Sequence, residues 1–394
     1  MMKLQQERIL TAVLVVALAI FGGTSASRPA VRDTDRATSL RAGSTLIPLN
    51  PLPSQNSGSA SVPQPAAEPE TDPQAPPEAT AGGVEYYSLN FVGDCTLACN
   101  AYYQGTPQGY DVVVGTDYAY PFAKTLQYFE NDDFTFANLE VALTESNAAA
   151  QKTFVFKAHA DYARVMTEGS VEFVSLANNH VLDYGQQGYD DTKAAVSAVG
   201  LAYAGRDEWT VYETPRGLKI GVYAVSFGTT QQIRNGVKAV REAGADFVIA
   251  ALHWGDEGSY QVNKTQIEQG HAAVDAGADF VYGSHPHTLQ PIEEYNGVLI
   301  CYSMGNWTFG GNTNPRDKDT FIFRLTVAQG PDGTVEVTDS EVIPCASSGV
   351  VDGNNYQPVP YEKDSEEYKR VLSKLDGSFE GSNLQITYGY SMNE

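Results

Sequence analysis

"DFVIAALHWGDE", residues 246–257, is a run of apolar residues from Phe247 to Leu252 that stops at His253 and a glycine. Short β-branched and aromatic runs bounded by Gly, Asn or Asp read as buried strands. The pattern recurs in "VEFVSLANNH" (171–180), which ends at His180, and in "ADFVYGSHPH" (278–287), which ends at His285 and His287. "YYSLNFVGD" (86–94) ends at Asp94, and "DFTFANLE" (133–140) ends at Asn138 and Glu140. In open α/β sheets the carboxyl ends of the strands form the crevice where ligands bind. Four of the six histidines, with two carboxylates and an amide pair, are therefore expected on one edge.

Helical stretches separate these strands. "QQGYDDTKAAVSAVG" (186–200) is amphipathic and closes on Gly200, and "QQIRNGVKAVREAGA" (231–245) has the same ending. Further helices are expected over about 120–129, 161–168 and 264–276, and a central strand in "LKIGVYAVSF" (218–227). Such alternation implies a largely parallel sheet covered by helices. After residue 288 the character changes. "TLQPIEEY", "GVLICYSMGN", "DTFIFRLTVA" and "GTVEVTDSEVIP" read as consecutive strands with turns at Asn296–Gly297 and Asp332–Gly333. The expected fold class is an α/β sandwich with antiparallel strands late in the chain.

The expected organisation has four parts. Residues 1–27 carry Lys3 and Arg8, then an apolar run from Ile9 to Phe21 and small residues at Thr24–Ala26, a signal-peptide or signal-anchor pattern. Residues 28–83, ending in "PQPAAEPETDPQAPPEATAGG", hold too few apolar groups to offset the entropy of ordering and read as a disordered tether. The folded domain spans 84–347, and 348–394 is an extension with one charged helix, "SEEYKRVLSKL". An export signal followed by a tether places the domain outside the cytoplasm, secreted or held at the membrane.

The 394 residues carry a formal net charge of −23, nearly all of it on the folded part. That excludes a nucleic-acid partner, whose binding needs a basic face. A polyanionic substrate would have to be held by local cations or metal rather than by the overall field. Cys95, Cys99, Cys301 and Cys345 form an even set, which in an exported chain permits disulfides, with three possible connectivities. None of them forms a Cys-x-x-Cys zinc pattern.

Imidazole, carboxylate and amide oxygen together suit two divalent ions of zinc, manganese or iron. In binuclear hydrolytic sites the ions lie about 3.5–4 Å apart and activate water toward a phosphoester. Glu140 suits a bridging position, Asp94 a ligand to one ion and Asn179 a ligand to the other, with His253, His285 and His287 supplying nitrogens. In "HPH" the two imidazoles project to one side of a backbone stiffened by Pro286. His180 diverges from its neighbour Asn179, toward the substrate, where an imidazole can act as general acid. Asp183 is placed either to orient His180 or, as its position suggests more simply, to cap the next helix. His159 and His271 lack a strand-end context and read as structural. Trp254 and Trp307 fit a cleft wall or the core equally. Cys95 beside Asp94 has no identifiable histidine partner as a nucleophile.

The ordered motifs "FVGDCTL", "ANLEVALT", "SLANNHVLDYG", "ALHWGDE", "GSHPHTLQPIE" and "YSMGNW" resemble those of the CapA-type poly-γ-glutamate capsule-synthesis family, part of the calcineurin-like metallophosphatase superfamily. The resemblance runs over roughly 86–310. It implies a four-layer α/β/β/α sandwich and a bacterial surface protein acting in synthesis or export of poly-γ-glutamate, with a membrane synthase complex as a possible partner. It also implies Asp94, Glu140, Asn179, His253, His285 and His287 as metal ligands and His180 as the acid. Two positions depart from the superfamily pattern. Thr96 stands where the first motif has a histidine, and Glu140 where an aspartate is usual. One ion therefore has an imidazole fewer, which leaves two functions to weigh: a metal-dependent hydrolase acting on a phosphoester or envelope polymer, or a non-catalytic component that binds polymer.

Overall fold

The computed structural model describes residues 83–384 and the backbone of Thr45–Leu46. The expected signal segment and nearly all of the expected tether lie outside the described residues. Among the described residues no helix is long and apolar enough to cross a membrane.

Two mixed sheets carry the fold. The first runs in the order Val359–Pro360, Val335–Ala346, Asp319–Gln329, Glu85–Thr96, Phe134–Leu139, Phe173–Ser175, Ala202–Ala204, and Asn306–Phe309 also pairs with Glu85–Thr96. From Glu85–Thr96 to Ala202–Ala204 its strands are parallel, and the Asp319–Gln329 and Val335–Ala346 hairpin is antiparallel. The second runs Thr45–Leu46, Ile292–Tyr295, Val298–Cys301, Phe280–Ser284, Phe247–His253, Lys219–Ser226, Glu208–Glu213. Its Lys219–Ser226, Phe247–His253, Phe280–Ser284 and Val298–Cys301 strands are parallel. The late strands expected to be consecutive neighbours are thus divided between the sheets, two in each.

Side chains alternate across a strand, and here both faces find apolar partners. Phe247, Ile249 and Ala251 join a cluster shared with Phe91, Phe134 and Phe136 of the other sheet. Val248, Ala250 and Leu252 join a second cluster with Val237 and Val240 of the helix Thr230–Glu242 and Ala273 of the helix Lys264–Asp275. Both helices begin with capping boxes, Thr229 with Gln232 and Asn263 with Gln266. Rings tie the sheets together: Phe91 lies 4.5 Å from Phe280 and Phe136 lies 4.7 Å from Tyr282, centroid to centroid. A third cluster packs Ala137 and Val174 against Tyr110, Phe122 and Val196.

This alternation aims the site residues. His253 continues the series Phe247, Ile249, Ala251, and Asn138 and Glu140 continue Phe134, Phe136, so all three emerge at the end of the shared layer. Asp94 would fall on the opposite face from Phe91. A register shift intervenes, because Phe91 pairs with Phe136 but Asp94 pairs with Asn138. The extra residue is a β-bulge, which turns Asp94 to the face that holds Asn138. Gly93 makes room there: a Cβ on it would stand 2.1 Å from the Gly305 carbonyl oxygen. The same carbonyl accepts from the Asp94 N–H at 2.8 Å.

Several local expectations give way. The helix expected over about 120–129 is two 3₁₀ turns, Tyr120–Phe122 and Leu126–Tyr128. Pro121 is the second residue of the first turn, and Thr125 at φ −124° and ψ −4° interrupts helical geometry before the second. The strand expected to reach His180 stops at Ser175, leaving Asn178–His180 in a loop. Short strands at Ala202–Ala204, Glu208–Glu213 and Asn306–Phe309 were not expected, the second despite its β-branched and aromatic run from Trp209 to Tyr212. All four cysteines are buried free thiols, so the disulfides that the even count permits are not formed among them. Trp254 and Trp307 are core residues. Trp254 donates to the Tyr302 carbonyl at 2.8 Å, and Trp307 packs on Phe122 and Phe129.

The charged helix Glu366–Leu375 buries Val371 and Leu375 in the cluster shared by the sheets. Its Lys374 and Arg370 each reach Asp319 at 2.7 Å.

Candidate metal centre

Asp94, Asn138 and Glu140 are fully buried and joined through one amide. Asn138 Nδ2 donates to Asp94 Oδ1 at 2.8 Å and to Glu140 Oε2 at 3.1 Å, and its Oδ1 accepts from Asn178 Nδ2 at 3.1 Å. Both carboxylates are therefore fixed from the strand side. Across from them the second sheet presents His253, and the segment after Ser284 presents His285 and His287.

Glu140 Oε1 decides what this arrangement is for. It is buried and has no hydrogen-bond partner. Three imidazole Nε2 atoms surround it: His253 at 3.7 Å, His287 at 3.9 Å and His180 at 4.0 Å. These separations are too long for hydrogen bonds. An unpaired buried acceptor costs about 1–3 kcal/mol, and more when charged. His285 Nδ1 is buried and unpartnered as well. A carboxylate oxygen and imidazole nitrogens that converge without bonding are what a cation would join. Donor atoms of Glu140, His285 and His287 lie within 4.8 Å of one another, as do those of Asp94, Glu140 and His253, and Glu140 belongs to both groups. The donor set, nitrogen and carboxylate oxygen, fits zinc, manganese or iron.

Partners further out hold the imidazoles. His253 Nδ1 meets Ser284 Oγ at 2.9 Å, which leaves Nε2 facing the centre, 2.9 Å from Asn179 Oδ1. His287 Nδ1 lies 3.0 Å from Asn306 Oδ1 and 3.1 Å from Asp94 Oδ2. Supports of this kind set tautomer and ring direction at metal sites. His285 and His287 have φ of +98° and +57°. Non-glycine residues held there store about 1–3 kcal/mol each, a cost that surrounding structure sustains mainly at functional sites.

Charge follows the same logic. Burial, then the adjacent Asp94, holds the Glu140 carboxyl well above its usual range. Burial alone would lower His287, but Glu140 and Asp94 outweigh it and push it up to about 10. Burial, then His287, lowers His285 to about 3. Burial, then His285, holds His253 well below the usual imidazole range. Without a cation the proton on His287 answers the charge of Asp94 and Glu140, a role that a bound cation would take over as the proton leaves, while His253 and His285 are already neutral imidazole, the form that ligates metal.

His180 lies on the cleft side. Its Nδ1 donates to Asp183 Oδ2 at 2.8 Å, which turns Nε2 toward Glu140. Burial lowers its affinity for protons, against the pull of Asp183. Asp183 does not cap the following helix: Gly185–Ala198 is preceded by Tyr184 and has no side-chain cap. Asp183 instead accepts from the Phe156 N–H at 2.6 Å and pairs with Lys152, so it fixes His180. The cleft beside His180 and His287 is walled by Phe154, Phe156, Phe309 and Arg316.

The structure brings Asp94, Glu140, Asn179, His180, His253, His285 and His287 together. His159 stays outside, where it caps the turn Ala160–Ala163 by accepting from the Asp161 N–H. So does His271, stacked on Tyr295 at 3.7 Å and bonded to Glu293. Cys95 is fully buried and its thiol is pushed up by burial, which disqualifies it as a nucleophile. Asn138 is expected at its strand end but not as the amide that joins the carboxylates, and Ser284 and Asn306 are not expected as imidazole supports. Asn138 carried a signal, its spacing of two from Glu140 on one strand face. Ser284 and Asn306 carried none.

The model of the family described as bacterial capsule synthesis protein matches residues 88–311, more than half of the chain. The chain belongs to this family. With it, the protein falls within the metallophosphatase-like superfamily. Among curated relatives, this capsule synthesis family member is 28% identical to the PGA biosynthesis protein CapA of Bacillus subtilis over 66% of its own chain and 72% of the relative. It is 30% identical to the capsule biosynthesis protein CapA of Bacillus anthracis, over 54% of its chain and 58% of that protein. A probable polyglutamine synthesis accessory protein of Mycobacterium tuberculosis is 27% identical over 56% and 68% of the two chains. The matched span contains every residue of the candidate centre.

Proposed function

We propose that this protein is a metal-dependent hydrolase of the phosphoesterase type that acts in the synthesis or export of poly-γ-glutamate or a related cell-envelope polymer. The observation that carries the reading is the unpaired Glu140 Oε1, buried among three imidazole Nε2 atoms at 3.7–4.0 Å. The capsule-related names of the relatives support the pathway. In this reading the layers run α/β/β/α, consistent with one apolar cluster shared by the sheets and another on the outer side of each. The basic and apolar start of the chain supports an extracytoplasmic place, membrane-tethered where the signal is kept, beside a polymer synthase.

Asp94, Glu140, Asn179, His253, His285 and His287 would hold two divalent ions of manganese, zinc or iron, with Glu140 shared. Bound there, the ions would polarise water and neutralise phosphoryl oxygens. The chain's own groups do the rest. Asn138 keeps both carboxylates directed inward. Ser284 and Asn306 fix His253 and His287. Asp183, held by Lys152 and the Phe156 N–H, keeps the Nδ1 proton of His180 in place. His180 Nε2 is then free to carry the proton that a leaving oxygen needs. The cleft beside it takes the leaving portion of the substrate.

The test is a phosphomonoester and phosphodiester panel run with the metal-loaded protein and its His287→Ala variant. Turnover confined to the unmodified protein supports the hydrolase. Equal turnover in the variant sinks it. A second reading rests on Thr96, which is buried with its hydroxyl unpartnered where the superfamily has an imidazole: a component that keeps the fold to bind polymer without turnover. Metal-loaded protein inactive across the whole panel favours that reading.

A further inference from the structure

Phe227 is an exposed aromatic in a conformation that a bulky residue rarely adopts. It is 56% exposed, and its φ is +47°. Its backbone has little freedom to relax. Its N–H donates to the His253 carbonyl at 2.9 Å, and the next carbonyl, Gly228, accepts from Gln269 Nε2 at 2.6 Å. Thr229 then begins the capping box of the helix Thr230–Glu242. A left-handed, solvent-facing phenylalanine gains little from burial, so the fold alone gives no reason for a large ring there. Its ring stands edge-on to His285 at 4.9 Å and to His253 at 6.1 Å. The ring thus meets two candidate ligands while more than half of the residue stays open to solvent.

The other imidazoles of the centre also have phenylalanine neighbours. Phe156 lies 4.6 Å from His180 and Phe309 4.8 Å from His287, and both line the cleft. Phe227 stands at the His253–His285 side and does not line that cleft. The histidine cluster therefore has phenylalanine rings at its His180–His287 end, inside the cleft, and another at its His253–His285 end, open to solvent. A small ester needs only one of these ends.

We infer that Phe227 is a specificity residue, packing its ring against an apolar or planar group attached to the reacting centre on the side away from the cleft. The substrate class is then a compound substituted on both sides of the reacting group, a diester or a link within a chain, in preference to a monoester. The inference rests on the phosphoesterase-type reading above.

Its test is equilibrium binding to the manganese-loaded protein of two diesters of equal charge, diphenyl phosphate and methyl phenyl phosphate. One aryl group is satisfied by the cleft, so only the second reports on Phe227. The unmodified protein should bind diphenyl phosphate about fivefold more tightly, the value of one aromatic contact. In Phe227→Ala that preference should vanish, with methyl phenyl phosphate binding and metal content unchanged. Preference retained in Phe227→Ala, or lost only in Phe309→Ala, overturns the inference while leaving the hydrolase reading intact. Failure of the unmodified protein to bind either diester overturns the phosphoester reading and the inference with it. A second variant separates function from folding. Phe227→Gly relieves the left-handed backbone, so its melting temperature should equal or exceed that of the unmodified protein. A fall of several degrees would make Phe227 a structural residue and overturn the assignment.

Discussion

Two clusters around buried carboxylates in this protein are built to opposite ends. Around Asp319, every strong acceptor is matched. Arg370 donates to both carboxylate oxygens at 2.7 Å, Lys374 donates to Oδ2 at 2.7 Å, and the Tyr361 hydroxyl donates to Oδ1 at 2.9 Å. Lys374 is shared with Asp317, which also accepts from the Tyr260 hydroxyl. Around Glu140, Asn138 and His287 answer part of the negative charge, yet one carboxylate oxygen and one imidazole nitrogen remain unpaired in the interior. The first cluster is closed and fastens the Glu366–Leu375 helix onto the sheets. The second is left open, at a cost to stability, and a divalent cation is the species whose charge and coordination would complete it.

The largest expected effect is at the open cluster. Replacing His287 with Ala should abolish metal retention and lower phosphoesterase turnover by more than about a hundredfold, measured by metal analysis and initial rates, with the fold intact by circular dichroism. At the closed cluster the expectation reverses. Asp319→Ala leaves Arg370 without a carboxylate and Lys374 with Asp317 alone, and should cost about 1–3 kcal/mol of unfolding free energy. Metal per folded molecule should not change. If denaturant titration found Asp319→Ala neutral, the cluster would not be the fastening described here.

The next effect is smaller. Ser284→Ala and Asn306→Ala remove only the outer support of an imidazole, so metal affinity should fall about 10–100-fold while the melting temperature stays near that of the unmodified protein. Unaltered affinity in a chelator competition would show that the imidazoles need no such support. The smallest effect is on pH dependence. Burial would raise the Asp319 carboxyl, but Arg370 and Lys374 hold it below its ordinary value. A carboxyl depressed in the folded state binds its proton more readily when unfolded. Its contribution is therefore complete above the ordinary carboxylate range and is lost as pH falls through the depressed folded value. Stability of the unmodified protein should decline on that acid limb, and the decline should be shallower in Asp319→Ala. Equal slopes in acid denaturation would contradict it.

How far the sequence reached follows from the range of each interaction. Strand ends at Asp94, Glu140, His253 and His285 were legible because strands buried on both faces read as continuous apolar runs that stop where a polar residue follows. The helices after 185 and 230 were legible from their helical patterns and terminal glycines. Asp94 shows where such reasoning runs out: its direction depends on a bulge, a property of two paired strands. Asp183 shows another boundary. Before a helix an aspartate usually caps, but here a closer imidazole, an amide N–H and Lys152 take its oxygens. Ser284 supports His253 because the two are opposite in register across strands 31 residues apart in sequence. Nothing local to either announces that pairing. The closed cluster was hidden for the same reason, since Asp319 and Lys374 lie 55 residues apart.

The central claim is that the Glu140 cluster is incomplete without cations. Metal analysis of protein purified with manganese or zinc present, then freed of loosely bound ions, tests it most directly. The account predicts two equivalents per chain in the unmodified protein and close to none in His287→Ala. Fewer than one equivalent in the unmodified protein would contradict it.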